Sequence, residues 1–161
     1  MIVVVMGVSG AGKTTIGRLL AEQLEWEFYD ADNLHSPENK RKMSDGIPLT
    51  DIDREPWLTS IRSLVEKIIA SDADAVIACS ALKRSYRERI VIDPSRVKLI
   101  YLKGSRELIA DRIAHRRNHF MNNRLLDSQF DALEEPPDAI TVDVSASPQS
   151  IVESIREKLQ I

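Results

Sequence analysis

The chain has 161 residues, 43% of them hydrophobic and 29% charged, with a net charge of −3. That length supports one full core and not two, so a single domain over 1–161 is expected, and the composition excludes a disordered chain. The acidic balance argues against a nucleic-acid surface, since such domains are usually basic.

The first element is Ile2-Val3-Val4-Val5-Met6, a short apolar run suited to a buried parallel strand. It is too short for a signal peptide or a membrane span, and no basic segment precedes it, so no membrane partner is expected. Gly7-Val8-Ser9-Gly10-Ala11-Gly12-Lys13-Thr14 follows and fills every fixed position of G-x-x-x-x-G-K-[ST]. Thr14 to Leu24 then carries Ile16, Leu19, Leu20 and Leu24 at helical spacing. Strand, glycine-rich turn and helix form the setting this phosphate loop needs. Its glycines let backbone N–H groups approach phosphate oxygens, and the helix N-terminus adds partial positive charge. The expected nucleotide contacts are Gly7, Ser9, Gly10, Ala11, Gly12, Lys13, Thr14 and Thr15. Lys13 reaches the β- and γ-phosphates, and the Thr14 hydroxyl ligates Mg²⁺.

Further strands are expected at 26–30, 75–79, 97–102 and 140–144. Helices are expected at 56–70, near 106–115, and after Ser147 as N-cap with Pro148 in first position. Alternation of this kind implies parallel pairing with right-handed crossovers, and ligands then gather beyond the strands' carboxyl ends. After the second strand stand Asp30 and Asp32, suited to a base, a hydroxyl acceptor or a water-mediated Mg²⁺ partner. Arg54 precedes the long helix and suits an anionic substrate or a solvated face equally. After the third strand, Ser80 suits a helix N-cap, and Lys83 and Arg87 are four apart, as on one helical face. The lone Cys79 cannot form an intramolecular disulfide and lies in an apolar run, which fits a packing residue in a reducing cytoplasm. No Asp ends the third strand, so the second Mg²⁺ carboxylate falls to Asp30 or Asp32. Arg112 and Arg116 lie four apart near a helix end. They suit either the helix dipole or a lid over 116–126 that brings charge to a transferring phosphoryl group.

Together these segments resemble the gluconate kinase family, within the shikimate-kinase and nucleoside-monophosphate-kinase branch of phosphate-loop proteins. The resemblance spans nearly the whole chain. It is carried by G-V-S-G-A-G-K-T at 7–14, D-A-D-x-L-H at 30–35, N-x-x-K-M at 39–43 and G-I-P-L-x-D-x-D-R-x-P-W-L at 46–58. It continues through C-S-A-L-K-R-x-Y-R at 79–87, Y-L-K-G at 101–104, R-x-x-H-F-M at 116–121 and L-L-x-S-Q-F-x-x-L-E at 125–134. Two positions depart from the family pattern: Ser36 stands where Pro is usual, and Asn118 where Gly is usual.

The resemblance implies a three-layer α/β kinase fold with strand order 2-3-1-4-5 and a mobile lid. It implies ATP-dependent, Mg²⁺-assisted phosphorylation of the 6-hydroxyl of D-gluconate. Asp32 would orient and deprotonate that hydroxyl, with Asp30 second. Lys13, Mg²⁺ and Arg116 would stabilise the phosphoryl group, and Arg112 would lie against the adenine or the phosphates. His35, Arg54, Lys83 and Arg87 would hold the sugar acid, with His119 and Gln129 as closing contacts. Another small hydroxy acid such as shikimate, a nucleotide-dependent switch, and a homodimer remain open. The absent N-K-x-D signature counts against a GTPase switch.

Overall fold

The computed structural model describes residues 1–115 and 123–161. The five strands are β1 (Ile2–Met6), β2 (Glu27–Asp30), β3 (Ala75–Ala78), β4 (Val97–Lys103) and β5 (Ile140–Asp143), and they form one sheet in the order β2-β3-β1-β4-β5. Every pairing is parallel. β1 sits at the centre and all five of its residues are buried, which explains its unbroken apolar sequence.

Alternation along β1 divides the core in two. Val3 and Val5 face α1 (Lys13–Leu24) and α7 (Pro148–Leu159), where Ile16, Leu20, Ile151 and Ile155 are buried. Ile2, Val4 and Met6 face α3 (Asp51–Ala70) and α4 (Arg84–Ile90), where Trp57, Leu58, Ile61 and Ile90 are buried. Each such side chain contributes about 1.5–3 kcal/mol of burial, so the sheet is held from both faces. The described helices are completed by α2 (Pro37–Ser44), α5 (Arg106–Ala114) and α6 (Asn123–Ala132).

Several boundaries move from their expected places, each for a local reason. The long helix begins at Asp51 rather than at Pro56, because Thr50 and Asp53 form a capping box. Asp53 N–H donates to Thr50 Oγ1 at 3.1 Å and Thr50 N–H to Asp53 Oδ2 at 3.0 Å. Pro56 therefore lies inside the helix. Lys83, not Ser80, is the N-cap residue of α4, so Lys83 and Arg87 do not share a helical face. Ser36 is the N-cap of α2, with its hydroxyl accepting from Asn39 N–H at 3.1 Å and Pro37 in the first turn. The departure from the family pattern at this position thus forms a capped helix start. Ser147 caps α7 as expected. Of the expected lid, residues 123–126 form the first turn of α6, and Leu126 is buried in the core. Arg116, Asn118 and His119 lie outside the described residues.

Among the described residues, no helix is long and apolar enough to cross a membrane.

Candidate functional site

The register brings the strand ends level. Val5 of β1 and Asp30 of β2 both stand opposite Ala78 of β3. The segments that follow β1, β2 and β3 therefore open onto the same edge of the sheet, and there a cavity of about 510 Å³ is found. Its wall includes Ser9, Lys13, Asp32, His35, Arg54 and Gln129.

The phosphate loop forms one side. Gly12 is the N-cap of α1 with φ of 95°, a left-handed conformation that glycine adopts without strain. Gly10 has φ of +83°, and a Cβ there would lie 2.9 Å from Ile113 Cγ1. The loop is thereby pressed against α5, where a side chain has no room. Ala11 is buried, while Thr14 and Thr15 are exposed on the first turn of α1. Lys13 Nζ donates to Val8 O at 3.0 Å, curling over the loop it follows.

The two acids after β2 are separated by their hydrogen bonds. Asp30 Oδ1 accepts from Asp32 N–H at 3.1 Å, and Asp30 Oδ2 accepts from the Thr14 hydroxyl at 3.0 Å. Asp30 therefore caps the short turn Ala31–Leu34 and reaches the first turn of α1. Asp32 instead faces the cavity with Lys13. Surrounding protein raises its pKa, Lys13 opposes that rise, and Asp30 adds to it. Asp32 is exposed on the cleft side.

His35 sits behind the cavity with 7% of its surface exposed. Its ring stacks on Trp57 with centroids 4.4 Å apart and planes 9° from parallel. Burial, with the Arg54 and Lys40 charges, lowers its pKa to about 4, so it is neutral at pH 7. Its Nδ1 has no hydrogen-bond partner among the described residues. Trp57 also fixes the acidic turn, since its indole N–H donates to Ala31 O at 2.8 Å. The tryptophan that reads as a core residue of α3 is also the support of the site's acid.

Arg54 lines the cavity and donates to Leu49 O at 2.6 Å. Lys83 and Arg87 are placed otherwise. Lys83 Nζ pairs with Asp51 at 2.9 Å, and Tyr86 Oη donates to the same carboxylate. Arg87 is buried, and its guanidinium donates to Ala81 O at 3.1 Å and Leu82 O at 2.9 Å. Ala81 has φ of 44°, a left-handed conformation costly for alanine. Arg87 thus clamps a strained bend whose neighbours, Ser80 and Leu82, line the cavity. Arg112 donates to Val144 O beyond β5 and does not line the cavity. Cys79 is buried, with its thiol pushed up to about 12 by desolvation, as a packing residue should be.

Sequence reasoning missed the wall supplied by α2 and the segment after it, including Lys40, Met43 and Pro48. The N-x-x-K-M pattern was the available signal. Its Asn39 amide donates to Asp53 O at 2.7 Å and Lys42 pairs with Asp53 at 3.1 Å, which ties α2 to the start of α3. Lys42 of α2 thus serves as an anchor, while Lys40 serves as cavity wall.

The donor set also suits a hard cation. The Thr14 hydroxyl and an Asp30 carboxylate oxygen lie side by side on the cleft's edge. Mg²⁺ is commonly held by one or two protein oxygens together with phosphates and water. A larger protein cage is not required, and no group of three or more His, Cys, Asp or Glu suited to a metal occurs among the described residues.

Comparison with known proteins agrees with this architecture. The shikimate kinase family model matches residues 9–160. A protein of Dictyostelium discoideum described as a probable gluconokinase is 45% identical over 168 residues, covering 96% of this chain and 84% of that protein. The gluconokinase of Gluconobacter oxydans is 42% identical, covering 98% and 90%. The crystal structure of a gluconokinase from Sinorhizobium meliloti superposes with a TM-score of 0.85 at 41% identity, covering 98% of this chain and 94% of that one. On this evidence of sequence and structure, the chain belongs to the gluconokinase family, a phosphotransferase branch of the shikimate-kinase-like proteins.

Proposed function

We propose that the protein transfers the γ-phosphoryl group of ATP to the 6-hydroxyl of D-gluconate. The observation that carries this reading is the single cavity wall shared by Lys13 of the phosphate loop, Asp32, and the cationic Arg54. It joins a polyphosphate site, a carboxylate able to take a hydroxyl proton, and a cation suited to a sugar acid. The relatives' names supply the choice of sugar acid.

Lys13 would neutralise charge on the β- and γ-phosphates, while Ser9, Gly10 and Gly12 let the loop's backbone N–H groups face the same oxygens. Thr14, with Asp30, would hold Mg²⁺, which when bound supplies charge neutralisation at the phosphates. Asp32 orients the acceptor hydroxyl and takes its proton. In a loose transition state that orientation outweighs proton removal. Arg54 holds the acceptor's carboxylate. Neutral His35 is the uncharged polar partner for a hydroxyl. We assign Arg116 and His119, within a lid over 116–126, to closure on the bound pair. Lys83 and Arg87 are proposed to support the bend at Ser80–Leu82, and Arg112 to brace the segment after β5.

The experiment is a panel of sugar acids and small hydroxy acids, scored for ATP consumption with Mg²⁺. Consumption dependent on gluconate is expected. Consumption dependent on another acid, with none on gluconate, would refute the substrate and leave phosphoryl transfer standing.

A further inference from the structure

The Ser9 N–H of the phosphate loop already has an acceptor. It donates to Gln129 Oε1 at 2.6 Å, across 120 positions of sequence. Both residues line the cavity that holds Lys13 and Asp32. Backbone N–H groups of a loop of this kind face phosphate oxygens when nucleotide is bound. In this structure a neutral amide oxygen stands at one of them.

The loop does not depend on Gln129 for its shape. Ala11 N–H donates to Val8 O at 3.2 Å, Gly7 N–H to Ser80 O at 3.4 Å, and Lys13 Nζ to Val8 O at 3.0 Å. Gly10 is pressed against Ile109 and Ile113. On the other side, α6 is seated by buried Leu126 and by Phe130 against the core. The Gln129 side chain can therefore swing away while both backbones stay in place.

We propose that Gln129 is a built-in competitor for the nucleotide: its side-chain oxygen stands in for a phosphate oxygen at Ser9 N–H and is displaced when a polyphosphate enters. The proposal rests on the reading of the loop as an ATP site. It has an unusual sign. A residue that lines a binding cavity here opposes binding, so its removal tightens the complex. Removing a residue that contacts nucleotide would weaken binding, and removing one that merely holds the fold would not tighten it.

The test is calorimetric titration of the full chain with Mg²⁺ and a non-hydrolysable ATP analogue, without sugar acid. Gln129→Leu keeps the volume and removes the acceptor, and should tighten binding about two- to tenfold, the worth of one neutral hydrogen bond. Gln129→Glu keeps the acceptor, strengthens it by charge and repels the phosphates, and should weaken binding by about tenfold or more. Opposite shifts in the two variants support the competitor. Unchanged or weakened binding in Gln129→Leu overturns it, provided its thermal unfolding midpoint matches wild type. If that midpoint falls, Gln129→Asn, too short by one methylene to keep the contact, is held to the same criterion. Wild-type protein that binds no nucleotide would refute the proposed function itself, a different outcome from a wrong sign in the variants.

Discussion

Asp30 and Asp32 stand two positions apart and serve different ends, because hydrogen bonds occupy one and leave the other facing the cleft. Their residue types alone suit either to the role; the resemblance ranks Asp32 first and Asp30 second, and the Thr14 contact of Asp30 supports that order. Substitution should separate them. Asp32→Asn keeps the shape and removes the charge, so kcat should fall by about a hundredfold while ATP affinity changes little. An unchanged kcat would remove Asp32 from the reaction. Lys13→Ala should lower kcat/KM by about a hundredfold or more, measured by coupled assay on a variant that unfolds like wild type. Near-normal turnover would refute the nucleotide site. His35 yields a stability prediction. Its pKa is lowered from 6.5 to about 4 in the folded chain. The unfolded chain therefore binds the proton first as pH falls. Stability is full above about pH 6.5 and is lost progressively down to about pH 4, by up to about 3 kcal/mol. The open cleft in front of the ring moderates that figure. Urea unfolding of wild type and His35→Gln at pH 7 and pH 4.5 checks this. The gap between the two proteins should shift against wild type on acidification. A gap independent of pH would mean that His35 titrates normally in the fold.

At the scale of elements, the bend between β3 and α4 shows how a sequence pattern can point to the right place while the structure favours a different role. Lys83 and Arg87 read as two cations on one helical face, able to reach a substrate. That reading assumes the helix has begun by Lys83, but the helical turn starts at Arg84. A left-handed backbone at Ala81 precedes that start, and neither spacing nor composition encodes that strain. Arg87 is buried as a result and occupied by two carbonyls. Arg87→Ala leaves both unsatisfied and should cost about 2–4 kcal/mol of unfolding free energy, with a smaller secondary rise in the acceptor's KM through Ser80 and Leu82. Normal stability with a KM raised a hundredfold would restore Arg87 as a direct substrate contact. The start of α3 misled in a similar way. Pro56 resembles a helix beginning, while the Thr50–Asp53 capping box starts the helix five residues earlier. By contrast, the phosphate loop was fully legible, since a glycine-rich turn between strand and helix carries its own geometry in its residue types.

At the scale of the whole molecule, strand and helix alternation made parallel pairing legible, and the strand pairings bear it out. Strand order was not legible from periodicity. It depends on which crossovers pass which neighbours, and only the resemblance supplied it. The order matters to function because it sets β1 beside β3 and β3 beside β2, bringing Lys13 and Asp32 to one cavity from distant parts of the chain. Residues 116–126 are proposed to carry the closing step. A non-hydrolysable ATP analogue should increase hydrogen-exchange protection there, most strongly with gluconate present. Strong protection without ligand, unchanged by either one, would assign Arg116 to helix-end charge rather than to a lid.

The proposed reaction transfers a phosphoryl group to the primary hydroxyl of a sugar acid. Gluconate has one primary hydroxyl, while the hydroxyls of shikimate are all secondary. The direct test is one reaction holding equal gluconate and shikimate with Mg²⁺ and ATP, read by proton-coupled ³¹P NMR. A dominant new phosphate monoester, split into a triplet by the two protons on carbon 6, is expected. A dominant doublet from a single ring proton, or no new monoester at all, would contradict it.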